Sequence, residues 1–189
     1  EESSASGMNE ILTMQKSEAN KEFSKYLIKN YQRWFNEESE DKPLLSPSVF
    51  KQRVFPLLEK EEKVLFILID NLRDDQWKMI EKKITEYSRL DKEELYCSIL
   101  PTATQYARNS MFAGLMPFDI NQLYPDLWVF DDEEIGKNLN ENKLFEKQLS
   151  RLGLNLRFSY HKILNQKAGK QLLDNYKDLF NYDMNIIVY

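Results

Sequence analysis

The sequence predicts an α/β fold, with a mainly parallel sheet and flanking helices, preceded by a helical segment. Three observations support this class. Strand-like and helical segments alternate from about residue 61, the first strand-like segment is apolar on both faces, and the last contains consecutive apolar residues. The 189 residues are 42% hydrophobic and include 11 Phe and 10 Tyr, so the chain can bury a core of ordinary domain size.

The first part of the chain has the pattern of helices. Apolar residues recur mostly at three- and four-residue steps up to Trp34, which predicts one long helix. After a charged loop, the Ser46-Pro47 pair predicts the N-cap and first position of a second helix, which Pro56 should bend or end. We therefore expect a helical linker or bundle segment over residues 1–60 and a separate α/β unit over residues 61–189.

The α/β unit has five predicted strands and four predicted helices. The strands are short apolar segments, at residues 64–69, 95–100, 127–130, 154–160 and 184–189. The helices have apolar residues on one side, at residues 74–87, 104–113, 140–152 and 166–179. Gly114 and Gly153 follow two of these helices, at the position where a left-handed residue ends a helix.

The composition excludes several classes of function. A formal net charge of −5 gives no general basic field that would attract nucleic acid or an anionic membrane. Cys97 is the only cysteine, so an intramolecular disulfide and a thiolate zinc cluster are excluded, and we expect it to be a buried hydrophobe. His161 is the only histidine, which excludes a His-pair metal motif and predicts a surface or strand-end residue. Without a membrane span or a signal peptide in the sequence, a cytoplasmic protein is expected.

Polar residues follow two predicted strands at their carboxyl ends, where open parallel sheets bind ligands. Asp70 and Asn71 follow the first strand, and the segment from Pro101 to Thr104 follows the second. A carboxylate there can hold a divalent cation, and a hydroxyl at a helix N-terminus lies in a field that favours an anion. Metal and helix dipole together would activate a threonine for attack on phosphorus. The alternative is that these residues only cap the helices that follow them.

Two stretches together resemble a known family. The pair IDNLRDDQW, at residues 69–77, and LPTATQYARNSMFAGLMP, at residues 100–117, is similar to the PglZ-type domain of the alkaline phosphatase superfamily. It is most similar to the PorX-type response regulators linked to the type IX secretion system. Further stretches extend the resemblance over nearly the whole chain, at residues 7–35, 43–60, 159–173 and 185–189.

The resemblance implies roles for individual residues. In the superfamily, an Asp after the first strand binds zinc, and a Ser or Thr after the next strand binds the same ion and attacks a phosphoester. Asp70 matches that Asp, and Thr104, at the end of the sequence PTAT, matches the nucleophile better than Thr102 does. The complete domain is expected to hold two zinc ions. The expected substrate contacts are Asn71, Arg73 and Arg108.

The resemblance also implies parts that these residues do not supply, namely further Asp and His ligands on later loops and an amino-terminal receiver domain. We therefore expect residues 1–189 to be an internal fragment of a longer protein. Residues 61–189 would be the N-terminal part of the PglZ-type domain, and the fragment alone would be inactive and less soluble than a longer chain.

Two functions follow from the resemblance. The first is a zinc-dependent phosphodiesterase or phosphatase-type effector domain of a two-component response regulator that controls type IX protein secretion. Its substrate would be a phosphoester such as an oligonucleotide or a cyclic nucleotide. The alternative is a non-catalytic signalling module that binds secretion-system or sigma-factor partners and other transcription regulators. Membrane insertion is not expected, and a homodimer is left open.

Overall fold

The computed structural model describes residues 2–36, 42–60, 63–130 and 138–189. The chain divides into two compact units, Glu1–Pro43 and Leu44–Tyr189. In the first unit, helix α1 spans Glu2–Asn30 and a short helix α2 spans Arg33–Asn36. The sequence predicted a single helix here, but the chain turns at residues 31–32.

The break between α1 and α2 lies within a group of aromatic rings. The ring of Tyr31 lies 5.9 Å from that of Trp34 and 5.1 Å from that of Phe35, between centroids. Tyr26 also contacts Trp34 at 5.9 Å. These edge and tilted contacts are the favoured geometry of aromatic pairs. A turn that brings Tyr31 against both Trp34 and Phe35 therefore has a packing reason.

The second unit contains the remaining helices and the sheet. Its helices are α3 at Phe55–Leu58, α4 at Asp74–Ile84, α5 at Thr104–Ala113, α6 at Pro117–Leu123, α7 at Glu141–Leu152 and α8 at Gln166–Asp174. Its strands are β1 at Val64–Leu68, β2 at Phe158–Lys162 and β3 at Met184–Val188. Short 3-10 helices occupy Ser46–Ser48, Pro125–Leu127 and Tyr176–Asn181, and a π-helical turn occupies Phe50–Val54.

In the part of the chain that the structure describes, the three strands form a parallel sheet in the order β1-β3-β2. Phe66 of β1 and Tyr160 of β2 both pair with Ile186 of the central strand. Because all three strands are parallel, their carboxyl ends meet at one edge. The α/β class with flanking helices is confirmed.

One face of the sheet carries the hydrophobic core. Met184, Ile186 and Val188 of β3 are buried there against residues of α5 and α7. Phe50 is fully buried, and its ring centroid lies 4.7 Å from that of Phe66 and 4.9 Å from that of Phe145. The core therefore fixes α5 and α7 over the same side of the sheet.

A segment that is apolar on both faces is typical of a central parallel strand, but the first strand is not central. Among the described strands β1 lies at an edge, and β3 is central. Leu65 and Ile67, which point away from the core, are each 54% exposed. The apolar run therefore reflects alternation of a core face with an exposed apolar face.

Two predicted strands are wrong. Residues 95–100 make one isolated bridge, from Cys97 to Leu45, because they run beside residues 44–46 and not in the sheet. Cys97 is half-buried there and not fully buried. Leu127 is the last residue of a 3-10 turn, and Trp128, which follows it, is buried with its ring 5.6 Å from that of Tyr106. In this second segment, packing of single side chains and not strand pairing explains the apolar sequence.

Several boundaries also differ from the predictions. Ser46 is not a side-chain N-cap, because its hydroxyl accepts a hydrogen bond from the backbone N–H of Ile99 at 3.2 Å. Pro56 lies in the first turn of α3 and does not end a helix there. The strand predicted from residue 154 begins at Phe158 and continues to Lys162, which places His161 inside it. Helix α8 ends at residue 174 and a 3-10 turn follows, while α4 ends at residue 84.

No helix among the described residues is both long and apolar enough to cross a membrane.

Candidate active site at the carboxyl edge of the sheet

The backbone of Asp70 is fixed by the sheet. Just beyond β1, the N–H of Asp70 donates to the carbonyl of Tyr189 at 2.9 Å, and the N–H of Tyr189 donates to the carbonyl of Leu68 at 2.8 Å. The parallel ladder thus continues past the strand ends. Asn71 follows with φ of 58°, a left-handed conformation that Asn tolerates better than most residues. The chain therefore turns away immediately after Asp70 and leaves its carboxylate at the edge.

Thr104 lies against Asp70. It is the first residue of α5, and its Oγ1 donates a hydrogen bond to Oδ2 of Asp70 at 3.3 Å. Thr102 is exposed, and none of the hydrogen bonds in the described residues joins it to Asp70. The structure therefore places Thr104, of the two candidate threonines, beside the carboxylate. Its role as a nucleophile stays a prediction.

Arg108 bridges two carboxylates. It follows Thr104 by one helical turn, so both side chains lie on the same side of α5. Its Nη1 donates to Oδ2 of Asp70 at 2.9 Å, and its Nη2 donates to Glu141 at 2.6 Å. Burial lowers the pKa of Arg108, but the charge and hydrogen bonds of Glu141, followed by those of Asp70, outweigh it and leave that pKa raised. Arg108 is therefore a permanent cation in the site.

Glu141, the first residue of α7, is the buried end of this network. It is 1% exposed and accepts a hydrogen bond from the hydroxyl of Tyr160 on β2. Lys162, two residues further along β2, has its Nζ 3.7 Å from Glu141 and also donates to the carbonyl of Asn138 at 3.0 Å. Burial, and then the hydrogen bond and charge of Glu141, raise the pKa of Tyr160 far above its usual range. Tyr160 therefore stays neutral, and its hydroxyl donates a hydrogen bond to the carboxylate.

A second tyrosine lies near the exposed end of the network. Burial, and then the negative charge of Asp70, raise the pKa of the Tyr96 hydroxyl. Tyr96 comes from the segment that was expected to be a strand. Although that segment does not join the sheet, it still brings a polar side chain within electrostatic reach of Asp70.

Arg73 is separate from this network. Its Nε and Nη2 donate to the two carboxylate oxygens of Asp75 at 2.8 Å each, on the surface of α4. The hydrogen bond from Arg73 lowers the pKa of Asp75 to about 2. Within the described part of the chain no ion pair joins Arg73 to Asp70. Because both partners are exposed, the guanidinium can exchange Asp75 for another anion at little cost.

His161 lies on the opposite face of the sheet from the core. Its Nε2 is 3.1 Å from Oγ of Ser159, which itself donates to Oδ1 of Asn185 at 2.7 Å. Since the serine proton is already used, the histidine acts as the donor in this contact. Burial lowers the pKa of His161. The arrangement is a structural hydrogen-bond chain and not a nucleophile–base pair.

Two models of known families match the chain. The model of the BREX system PglZ alkaline phosphatase-like domain matches residues 49–188, which is most of the chain. The chain belongs to the PglZ family. The model of the PorX response regulator linker domain matches residues 1–35. None of the curated proteins compared with the chain gives a match. The two family matches indicate a response-regulator-associated module of hydrolase type.

Proteins of the alkaline phosphatase superfamily generally use metal ions. A zinc site needs about four ligands. Asp70 and Thr104 supply two oxygen atoms, and the Arg108 guanidinium already contacts the carboxylate. Across the described ranges, no group of three or more His, Cys, Asp or Glu side chains is placed to hold a metal. These PglZ residues alone therefore do not form a zinc site.

Sequence reasoning missed Glu141, Tyr160 and Lys162 as members of the site. One signal was available. Tyr160 and Lys162 are two residues apart near the carboxyl end of a strand, so their side chains lie on the same face. The predicted strand stopped at residue 160, which hid Lys162. Glu141 had no comparable signal, because an acidic residue in the first turn of a helix is common for reasons of the helix dipole alone.

Proposed function

We propose that this chain is part of the effector region of a two-component response regulator and that its PglZ domain hydrolyses phosphoesters, with Thr104 as the nucleophile. The observation that supports the proposal is the contact of Thr104 with Asp70 at the carboxyl edge of the sheet, with Arg108 on the same carboxylate. A hydroxyl, its acceptor and a fixed cation lie together there, as phosphoryl transfer requires.

The proposed reaction has two steps. Thr104 Oγ forms a bond to phosphorus as the bond from phosphorus to the leaving oxygen breaks, and the proton of the Thr104 hydroxyl ends on that leaving oxygen. The intermediate is a phosphoester of Thr104, which is a diester when the substrate is a phosphodiester. Water then attacks the same phosphorus and releases Thr104 and a phosphate product. Asp70 accepts the hydrogen bond of the Thr104 hydroxyl and orients it. The N-terminus of α5 adds a field that favours negative charge at this position.

We also propose that the function is zinc-dependent and that the complete site holds two zinc ions. Asp70 and Thr104 would each contribute an oxygen ligand, and the other ligands would come from outside the described residues. When bound, zinc would supply a Lewis acid for the phosphoryl oxygens.

For the substrate we propose a phosphodiester such as an oligonucleotide or a cyclic nucleotide. For the whole protein we propose a cytoplasmic location and a role in the control of type IX secretion. Because the chain carries a net charge of −5, attraction of such a substrate must come from local cations. Arg108 and Arg73 are the proposed contacts, with Asn71 beside them. Arg108 directs two of its five N–H groups at carboxylates, whereas Arg73 is exposed and paired with Asp75 on the surface.

We keep the division into a helical segment and a PglZ domain as a proposal, with a boundary earlier than the expected residues 60 and 61. The linker-domain match ends at residue 35, whereas the PglZ match already begins at residue 49. Phe50 and Phe55 belong to the core of the second unit, together with strand and helix residues of the PglZ domain. On packing grounds, we place the functional boundary before Phe50.

A second candidate function is a signalling module that binds secretion-system or sigma-factor partners without catalysis. The linker-domain match and the absence of a three-ligand group among the described residues favour it. A homodimer fits either function and stays a proposal. Hydrolysis that depends on Thr104 separates the two candidates.

The test is hydrolysis of bis(p-nitrophenyl) phosphate with added zinc, by the natural protein that carries these residues. Thr104→Ala should lower kcat by at least about 1,000-fold, because a lost nucleophile has no substitute. Thr102→Ala, two residues before Thr104, should keep activity within about 3-fold of the parent, since it loses no group of the reaction. Both variants should give the circular dichroism spectrum of the parent. Equal loss in the two folded variants, or unchanged activity in both, would remove the nucleophile assignment, and no hydrolysis by the parent protein would favour the signalling function.

A further inference from the structure

Among the charged groups of the candidate site, the carboxylate of Glu141 is the most deeply buried. It is 1% exposed, and it contacts Arg108 of α5 and both Tyr160 and Lys162 of β2. Removal of a carboxylate from water is strongly unfavourable, and apolar residues of similar volume often join buried elements with equal or greater stability. The stability of the packing therefore does not by itself explain why a charge stands at this position.

The guanidinium of Arg108 is held by two carboxylates. Its Nη1 donates to Asp70 at 2.9 Å and its Nη2 to Glu141 at 2.6 Å, while its buried Nε has no hydrogen-bond partner among the described residues. The Asp70 side chain is 39% exposed, so water competes for its contact with the guanidinium. Little water competes at Glu141, which makes that contact the stronger one. The orientation of Arg108 therefore depends mainly on Glu141.

We propose that Glu141 is a positioning residue, which fixes Arg108 so that Nη1 donates its second N–H to the phosphoryl group that Thr104 attacks. This inference rests on the hydrolysis proposed above. Oδ2 of Asp70 accepts hydrogen bonds from both Thr104 Oγ1 and Arg108 Nη1, so the hydroxyl and the guanidinium are neighbours at one oxygen. Nη1 has two N–H groups and directs one of them at Asp70. The other can donate to a phosphoryl oxygen while both carboxylate contacts remain.

Two residues of β2 hold Glu141 in turn. The hydroxyl of Tyr160 donates to its carboxylate, and Nζ of Lys162 lies 3.7 Å from it. Two cations and two anions make up the network, so its formal charge is zero: Asp70, Arg108, Glu141 and Lys162. The network therefore acts through the fixed direction of a donor and not through a surplus of positive charge. A fixed donor stabilises charge that develops in the transition state, so its loss lowers kcat more than it raises KM.

The competing explanation is that Glu141 and Arg108 form a structural ion pair that only joins α7 to α5. The two explanations differ in what Glu141→Gln does. This substitution keeps the shape of the side chain and an acceptor for Tyr160, but it removes the charge that holds Arg108. In the hydrolysis assay described above, it should lower kcat by about 10- to 100-fold and change KM by less than about 3-fold. Deletion of the donor itself in Arg108→Met should lower kcat by at least about 100-fold.

A double-mutant cycle measures whether Glu141 acts through Arg108. If it does, Glu141→Gln added to Arg108→Met should lower kcat by less than about 2-fold further, because the donor that it positions is already gone. Independent effects would instead multiply. Arg108→Lys takes the place of Arg108→Met in the cycle if the latter does not fold. Its ammonium keeps a charge beside Glu141 but has no planar fork to contact both carboxylates.

Gln148→Ala is the matched control for a purely structural effect. Gln148 lies on α7 and is 1% exposed, as Glu141 is, and its side chain packs against α5 at Gly114. It has no hydrogen bond to the network among the described residues. The substitution should lower the free energy of unfolding in urea but keep kcat within about 3-fold of the parent. Circular dichroism confirms the fold of every variant.

The outcomes separate this inference from the function on which it rests. If Thr104→Ala abolishes hydrolysis but Glu141→Gln keeps the kcat of the parent, or the losses in the cycle multiply, the positioning role is wrong while the nucleophile stands. An equal loss of kcat in Gln148→Ala and Glu141→Gln would likewise show that Glu141 is only structural. If the parent does not hydrolyse the substrate, or Thr104→Ala is as active as the parent, the proposed function is wrong and the positioning role is rejected with it.

Discussion

At the scale of single residues, the position of the Asp70 carboxylate depends on the conformation of the next residue. Asn71 has φ of 58°, which turns the chain away from the sheet directly after the last ladder hydrogen bond of Asp70. A side chain with a Cβ costs about 1–2 kcal/mol in the left-handed region, with Asn among the best tolerated and Gly free of the cost. The identity of residue 71 is therefore a conformational requirement of the site, separate from any contact with substrate.

We predict opposite results for two substitutions at this position. Asn71→Gly should leave the free energy of unfolding within about 0.5 kcal/mol of the parent, because Gly adopts this φ without a steric cost. Asn71→Val should lower it by about 1–3 kcal/mol, since a β-branched residue is strained there. Urea denaturation followed by circular dichroism measures both. Equal stability of the two variants would show that the left-handed turn after Asp70 does not form in solution.

The sequence predicts only half of the site, and the physical reason lies in the range of the contacts. The positions of Asp70 and Thr104 follow from local rules, because strand ends and helix starts can be read from neighbouring residues. The partners of Arg108 cannot be read in this way. Glu141 is 33 residues away, and it meets Arg108 because α5 and α7 pack together. Only the three-dimensional packing shows that Arg108 is bridged and not free.

At the scale of elements, two helices that frame the site end in the same way. Gly114 follows α5 with φ of 63° and Gly153 follows α7 with φ of 67°, and both were predicted as helix ends from the sequence. Their surroundings differ. A Cβ at Gly153 would meet nothing within 4 Å, whereas a Cβ at Gly114 would clash with the side chain of Gln148. Gln148 is 1% exposed and belongs to α7, so the close approach of α5 to α7 depends on Gly114.

This pair provides a matched prediction. Gly153→Ala should cost about 1 kcal/mol, from the left-handed conformation alone. Gly114→Ala should cost about 1–3 kcal/mol more, because overpacking beside a buried side chain adds to the same backbone penalty. The measurement is the free energy of unfolding of each variant in urea. If both substitutions cost the same, Gln148 can move aside and the helices are less tightly packed than described.

The helices and strands could be predicted where the sequence pattern is local. The predictions failed where apolar residues occur for a reason other than strand pairing. Helices α5 and α7 and strand β3 lie close to their predicted ranges, because periodicity and glycine ends are properties of short segments. The strand prediction for residues 95–100 failed. Ile99 is fully buried, but the segment that contains it is not a strand of the sheet. A short apolar run therefore indicates neither that all of its side chains are buried nor which backbone it pairs with, because Leu95 in the same segment is 91% exposed.

At the scale of the whole molecule, the described sheet has one buried and one partly exposed face. Ile186 on the central strand is fully buried within the core, and Ile67 on the edge strand is 54% exposed. Both are isoleucines in parallel strands of the same sheet, so backbone propensity is nearly the same for the two. They differ in what surrounds the side chain, which makes them a direct probe of where the stability of the unit arises.

Truncation of these two side chains should therefore have very different effects. Ile186→Ala should lower the free energy of unfolding by about 2–5 kcal/mol, because it removes buried contacts and leaves a cavity beside Phe66 and Tyr160. Ile67→Ala should cost no more than about 1 kcal/mol, since half of its surface already contacts water and no closed cavity forms. Both changes lose the same atoms, so the ratio of the two costs reports burial. Urea denaturation at several protein concentrations measures them. Comparable losses at every concentration would contradict the one-sided core, whereas a loss for Ile67→Ala that grows with protein concentration would show that this apolar face is covered by self-association in solution.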